Sequence, residues 1–114
     1  MSNINYFSGI VKILETPRVY SVNPQTQLTR FRVEVSQKRK NTVIELLCWG
    51  NLGREVKKFY LPNDYILIEG YTSIRLKKTG NLNYKGSKQL LVTVLRVYPI
   101  LLKANRISEN IEKQ

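Results

Sequence analysis

The sequence contains no histidine and a single cysteine, Cys48, among its 114 residues. Without histidine, the chain lacks the side chain that most often serves as a metal ligand or as a general base near neutral pH. One cysteine can form neither an internal disulfide nor a zinc site by itself, which fits a reducing compartment. We therefore expect no enzymatic activity, no metal and no other cofactor.

Acidic residues and long apolar runs are also scarce. The chain has 8 acidic against 19 basic residues, a formal net charge of +11, so a polyanionic partner is favoured. No run approaches the roughly 20 apolar residues of a membrane span, and residues 1–5 do not resemble the start of a targeting signal. Alanine occurs once, a bias typical of an AT-rich gene. We expect no membrane partner, and a location in a plastid that encodes the protein, without a transit peptide, or in bacterial cytoplasm.

Two segments concentrate the basic charge. Residues 75–96 carry six basic side chains and no acid, and a second cluster is Lys38-Arg39-Lys40. Turn signals at 79–81 and 85–87 indicate that the first segment contains a long hairpin.

Short alternating segments predict an all-β fold. A first strand covers residues 7–14 and continues, bent at Pro17, over 18–22, and the second strand alternates around Phe31, Val33 and Val35. A third strand ends at Trp49, and its parity places Trp49 outward, opposite Ile44 and Cys48. Two further strands cover 64–74 and 89–98. We expect one domain over residues 1–99 and a short C-terminal tail over 100–114.

One helix of about ten residues is predicted between the third and fourth strands, with Asn51 as its cap and Pro62 as its stop. Five strands with a helix in that place are the order of a five-stranded oligonucleotide-binding (OB) barrel. In that fold the second and third strands form the ligand face. The phases of Phe31, Phe59, Tyr60 and Tyr65 coincide with the apolar faces, which indicates that these rings pack in the core or on the helix.

Candidate nucleic-acid-binding residues are rings that could stack on bases and cations that could bind phosphates. The rings are Trp49, Tyr71 and Tyr84, and each could instead pack within the protein. The cations could instead be solvating loop residues, but they gather on the elements beside one face: Arg30, Arg32, Lys38, Arg39, Lys40, Arg75, Lys77, Lys78, Lys85 and Lys88. Glu45 is expected to point toward the same phosphates and to oppose their binding.

The chain resembles bacterial single-stranded DNA-binding proteins, most closely their cyanobacterial and plastid branch, over roughly residues 5–98. The resemblance lies in the spacing of Trp49-Gly50-Asn51-Leu52, Glu55, Tyr60, Asp64 and Glu69-Gly70, preceded by Gly9 and Pro17-Arg18-Val19-Tyr20. A bacterial primosomal replication protein has a similar barrel. Of four ring positions that stack bases in the family, Trp49 keeps a ring, whereas Arg39, Val43 and Lys77 stand at the other three.

The resemblance implies a homodimer or homotetramer that coats single-stranded DNA during replication, repair or recombination. The weakly charged first strand is the expected pairing edge. Two alternatives remain open: an RNA-binding OB protein, and a protein-interaction module of a replication or primosome assembly that binds nucleic acid weakly.

Overall fold

The computed structural model of the chain describes residues 5–76 and 88–100, which form six strands and one helix. In chain order these are β1 (Tyr6–Ile13), β2 (Arg18–Asn23), β3 (Thr26–Ser36), β4 (Asn41–Trp49), α1 (Gly50–Phe59), β5 (Tyr65–Leu76) and β6 (Lys88–Pro99). The predicted position of the helix between the third and fourth predicted strands is confirmed. No helix in the described ranges has the length and apolar character needed to cross a membrane.

The strands close into a ring. β1 pairs with β5, β5 with β6, β6 with β4 in parallel, β4 with β3, and β3 returns to β1 through Lys12–Glu34 and Ile13–Val33. β2 pairs with β3 farther along the same edge, starting from Arg18 opposite Arg30. β1 and β2 are thus the two halves of the predicted bent first strand. The closed ring of five strands confirms the OB barrel.

Alternation along the strands fills the barrel interior. Each strand of the ring sends every second side chain inward, and the buried set is Val11, Ile13, Phe31, Val33, Ile44, Leu46, Cys48, Ile66, Ile68, Val92 and Val94. The predicted burial of Cys48 is confirmed, and desolvation raises the pKa of its thiol to about 12. A thiol with so high a pKa stays neutral and is a poor nucleophile near neutral pH.

Helix α1 covers one opening of the barrel. Val56 enters the core, Leu52 packs against it, and Gly53 lies on the β3–β4 surface. A Cβ at Gly53 would be 2.3 Å from the Thr29 hydroxyl oxygen and 2.6 Å from the Cys48 carbonyl oxygen. Glycine is therefore required for the close approach of the helix to the strands.

The predicted helix start was wrong by two residues, because a cap at Asn51 would make Leu52 the first helical residue. The helix begins at Gly50, whose φ of 59° is one that glycine adopts readily, and Trp49 is its N-cap without a side-chain hydrogen bond. Asn51 lies inside the first turn, where its side-chain oxygen accepts a hydrogen bond from Arg54 instead of capping the helix.

Two of the four rings predicted to pack in the core or on the helix are exposed to solvent. Phe31 is buried and Tyr60 packs against the core, as predicted, but Phe59 and Tyr65 are exposed. Phe59 is the last residue of α1, and Lys58 lies over its ring. Tyr65 is the first residue of β5, and its side chain points outward because Ile66 and Ile68 take the inward positions.

Candidate nucleic-acid interface

The outer face of β3 and β4 carries the predicted arginines and the tryptophan together. Leu28 pairs with Trp49 and Arg30 pairs with Leu47, so these side chains leave the same side of the sheet. Trp49 is 45% exposed, which confirms its outward orientation. Its position follows from the strand phase, since Ile44, Leu46 and Cys48 take the inward positions.

An open cleft with a volume of about 800 Å³ lies beside this face. We call it the arginine cleft, and it is lined by Glu15, Arg18, Tyr20, Arg30, Phe31, Arg32, Glu45, Arg75, Leu76 and Gln89. Each strand except β1 contributes at least one residue to this lining. Four arginines and two glutamates give the lining a net charge of +2.

Glu45 forms the centre of a polar cluster on the floor of the arginine cleft. Its carboxylate is paired with the Arg30 guanidinium and accepts a hydrogen bond of 2.7 Å from Gln89 Nε2. The Arg30 guanidinium also lies 6.0 Å from the centre of the Tyr20 ring. Glu45 lies on the predicted face of the sheet, but it is only 8% exposed. Its carboxylate is fixed by hydrogen bonds at the bottom of the cleft and, contrary to what the sequence had indicated, does not extend toward solvent.

Arg32 and Glu15 form a second ion pair at the rim of the cleft. Arg32 donates from Nε at 3.1 Å and from Nη2 at 3.0 Å to Glu15 Oε2, and its backbone N–H donates to Oε1 at 3.1 Å. The side-chain hydrogen bond from Arg32 is the main cause that lowers the pKa of Glu15, and the same contact raises the pKa of Arg32. Within residues 5–76 and 88–100, Arg18 and Arg75 form no ion pair.

The sequence reasoning missed five residues that line the cleft: Glu15, Arg18, Tyr20, Leu76 and Gln89. Arg18 pairs with Arg30 and Tyr20 with Leu28, so both share the outer side of the sheet with the predicted arginines. Tyr20 is 47% exposed and lies in one row with Leu28 and Trp49. The alternation of Arg18 and Tyr20 after Pro17 was a readable signal, whereas Gln89 carried none.

The basic loop Lys38-Arg39-Lys40 is exposed but lies away from the tryptophan. It joins β3 to β4 at the start of β4, whereas Trp49 ends that strand. With a rise of 3.2–3.4 Å per residue, the two ends of this nine-residue strand are about 27 Å apart. Lys88 is also exposed, opposite Leu76 and next to the pair of Arg75 and Gln89.

Tyr71 lies two strands from β4. Leu47 pairs with Thr93, and Thr93 pairs with Tyr71, whose 44%-exposed ring meets that of Tyr6 edge-on at a centroid distance of 6.0 Å. Tyr6 donates a hydrogen bond of 2.5 Å to Glu69 Oε2, which is the main cause that raises the pKa of Tyr6. The structure therefore places Tyr71 in an aromatic pair outside the arginine cleft.

Four predicted residues lie outside the described residues: Lys77, Lys78, Tyr84 and Lys85. The described ranges contain no group of three or more histidine, cysteine, aspartate or glutamate side chains that could hold a metal ion.

Two curated relatives match nearly the whole chain. The chain is 31% identical over 110 residues to "Putative single-stranded DNA-binding protein ycf41" of Trieres chinensis, covering 93% of this chain and 97% of the relative. A protein of the same name from Porphyra purpurea is 27% identical over 102 residues, covering 88% of this chain and 92% of the relative. No protein-family model matches the chain.

Solved structures show the same fold at low sequence identity. The second single-stranded DNA-binding protein of Mycobacterium smegmatis has a TM-score of 0.67 at 22% identity, over 89% of this chain and 93% of that one. The SSB domain of a Synechococcus protein has the same TM-score and identity, over 86% and 98%. The mitochondrial protein Rim1 of S. cerevisiae has a TM-score of 0.70 at 4% identity, over 87% and 97%.

Proposed function

The chain belongs to the family of the proteins named single-stranded DNA-binding protein ycf41, and from that membership we propose that it binds single-stranded DNA without requiring a particular sequence. The observation that carries the proposal is the position of the arginine cleft, with its net positive charge, on the same sheet face as the exposed Trp49 ring. Cations that follow the phosphates, and a flat ring on which any base can stack, are what such binding needs.

Phosphate contacts are assigned first to arginines at the rim of the cleft. Arg18 and Arg75 form no ion pair among the described residues, so they can bind a phosphate without breaking one. Arg30 and Arg32 must share their charge with Glu45 and Glu15. Among the described residues, Lys38, Arg39, Lys40 and Lys88 are assigned to further phosphate contacts along a longer strand of DNA. The same role is assigned to Lys77, Lys78 and Lys85, which lie outside the described residues.

Trp49 is assigned the principal stacking role. Its ring is exposed at the end of β4. Its cross-strand partner, Leu28, is two residues from Arg30 on β3, on the same side of the sheet. Tyr71 and Tyr84 are assigned to secondary contacts along a longer strand of DNA. The protein itself is proposed to coat DNA and not to catalyse a reaction on it.

The first strand is the proposed subunit contact. Within the described residues, Tyr6–Lys12 pair with β5 along one edge of β1, and only Lys12 and Ile13 pair with β3 along the other. An unpaired edge is a ready template for a second copy, and a homodimer or homotetramer is the expected assembly. Its mass in solution, measured with and without a long oligonucleotide, tests this. We place the protein in a plastid or in bacterial cytoplasm.

The test of function is a titration of the protein with oligo(dT) at about 50 mM and about 200 mM salt. Binding is monitored through the fluorescence of Trp49, the sole tryptophan. Stacking should quench the indole. About five phosphate contacts should give a slope of about −3.5 in log affinity against log salt. The absence of both quenching and any retarded complex would reject DNA binding and favour a protein-interaction module.

Competition between DNA and RNA of one sequence is the second measurement. The cations can bind the phosphates, and the rings can stack on the bases, of either DNA or RNA. The choice of DNA therefore rests on the family. A preference for RNA would replace the proposal with an RNA-binding role for the same cleft.

A further inference from the structure

Tyr20, Leu28 and Trp49 form one row across the outer face of three neighbouring strands. Tyr20 of β2 pairs with Leu28 of β3, and Leu28 pairs with Trp49 of β4. We call these three residues the aromatic row. Neighbouring strands lie about 4.8 Å apart, so the backbones of the two ring residues are about 10 Å apart. The proposed function assigns no DNA contact to Tyr20, and the role inferred here for its ring rests on that function.

The Tyr20 ring has apolar surface left to cover. Its side chain is 47% exposed, close to the 45% of Trp49 at the other end of the aromatic row. A flat ring with an accessible face is what an unpaired base stacks on. Tyr20 therefore meets the same requirement as Trp49, on the same side of the sheet.

One face of the Tyr20 ring is held by Arg30. The Arg30 guanidinium lies over the ring at 6.0 Å from its centre, a distance at which a cation is attracted to the ring face. Arg30 is itself paired with Glu45, which accepts a hydrogen bond of 2.7 Å from Gln89 Nε2. A ring that rests on an anchored neighbour has less freedom to lose when a ligand binds. With Arg30 over one face, a base can stack on the opposite face.

Two arginines lie next to the aromatic row. Arg18 and Arg30 pair with each other, and each is two residues from a member of the row, Tyr20 on β2 and Leu28 on β3. They form the next row on the same side of the sheet, about 7 Å away along the strands. Arg18 forms no ion pair within residues 5–76 and 88–100. A strand whose bases lie on the aromatic row can therefore have its phosphates beside these arginines.

We propose that Tyr20 is a second base-stacking site, so that two bases of one strand lie on the aromatic row, one on Trp49 and one on Tyr20. A base in contact with a ring lies about 3.5 Å from it, so a separation of about 10 Å leaves room for a separate base on each ring. Every base has a flat π-face, so the second ring adds affinity without adding a preference among bases.

The first measurement is the affinity for labelled oligo(dT) by fluorescence anisotropy. Tyr20→Ala should weaken binding about 5- to 20-fold and leave the slope of log affinity against log salt unchanged, because the ring carries no charge. Tyr20→Phe keeps the flat ring and should bind within about twofold of the unmodified protein.

Tyr98→Ala is the matched control, because it removes another exposed tyrosine ring from a strand. Tyr98 is 40% exposed and lies on β6, about 17 Å along the strand from Thr93, the residue that pairs with Leu47 of β4. Tyr98→Ala should bind oligo(dT) within about twofold of the unmodified protein.

The second measurement moves the fluorescent probe to position 20. Tyr20→Trp combined with Trp49→Phe leaves the sole tryptophan of the chain at that position. Oligo(dT) should quench this indole as binding saturates, and a tyrosine with only a packing role would give no such signal. Tyr98→Trp in the same Trp49→Phe background is the control, and its indole should not be quenched.

Binding by the unmodified protein with the expected salt dependence, but without quenching of the indole at position 20, would overturn the second stacking site and leave the proposed function standing. Equal quenching at positions 20 and 98, or a folded Tyr20→Ala that binds within about twofold of the unmodified protein, would overturn it as well. Failure of the unmodified protein to bind oligo(dT) would reject the proposed function together with the inference. Tyr20→Trp keeps a ring on β2, so the quenching measurement decides even if Tyr20→Ala fails to fold.

Discussion

Replacing Trp49 with alanine should weaken the binding of single-stranded DNA by about 1–3 kcal/mol, which is about 5- to 150-fold in affinity. The ring is 45% exposed, so one part of its surface is available to a base and the rest packs against the protein. The ring carries no charge. Its loss should therefore leave the slope of log affinity against log salt nearly unchanged.

The same substitution also removes packing, which must be separated from stacking. Truncating a fully buried tryptophan costs 3–5 kcal/mol of stability, so a ring that is about half buried should cost about 2 kcal/mol. Thermal unfolding of the variant measures that cost. Binding is then compared at a temperature where both proteins are folded.

Two variants control for the nature of the ring and for its position. Trp49→Phe keeps a flat ring and should recover most of the affinity. Phe59→Ala removes another exposed ring at the opposite end of α1, about 15 Å along the helix axis from Trp49, and should change affinity little. The assay is anisotropy of a labelled oligonucleotide, because it does not depend on the indole.

Stacking of a base on Trp49 is refuted if Trp49→Ala binds DNA within about 0.5 kcal/mol of the unmodified protein while DNA does not quench the indole of the unmodified protein. It is equally refuted if Phe59→Ala loses as much affinity as Trp49→Ala. Trp49 would then be a packing residue at the start of the helix.

Three further predictions concern charge, packing and pH. Changing Lys77, Lys78 and Lys85 to glutamine should flatten the slope of log affinity against log salt by about two units. An unchanged slope would exclude this predicted hairpin segment from the DNA-binding site. Gly53→Ala should destabilise the fold by about 1–3 kcal/mol in urea unfolding, despite the better helix propensity of alanine, because its Cβ would meet the Thr29 hydroxyl at 2.3 Å. A variant as stable as the parent would mean that α1 can shift. Cys48 has a folded pKa raised by burial to about 12 from 9.0, so its contribution to stability is complete below pH 9 and is lost as the pH rises toward 12. Above pH 9 the parent should lose up to about 1.4 kcal/mol per pH unit relative to Cys48→Val, and parallel curves would contradict the burial of the thiol.

The sequence by itself determined the class of fold and the orientation of most strand residues. Alternation has a period of two in any strand, so once Ile44 and Cys48 were read as inward, Trp49 had to face outward. The bend at Pro17 and the helix between two strands were equally readable, because each has a local cause. The local capping signal at Asn51 was misleading, because the helix starts two residues earlier than that cap implied, at Gly50 with Trp49 as its N-cap.

Partners across strands were decided by the tertiary structure. The sequence indicated Glu45 as an exposed charge opposing DNA, but the parallel pairing of β4 with β6 brings Gln89 beside it, and β3 supplies Arg30. Arg30 is 15 positions and Gln89 is 44 positions from Glu45 along the chain. No pattern within one strand encodes such a contact.

The tertiary structure also decided which cations and rings meet. Tyr71 has the same outward phase as Trp49, yet it packs on Tyr6 two strands away, and the basic loop at Lys38 lies at the far end of β4. Composition fixed the sign of the charge, and periodicity fixed the side of the sheet on which each residue lies. The register between strands distant in sequence brought Arg18, Arg30, Arg32 and Arg75 around one cleft, because barrel closure depends on the packing of the whole core and not on any one segment.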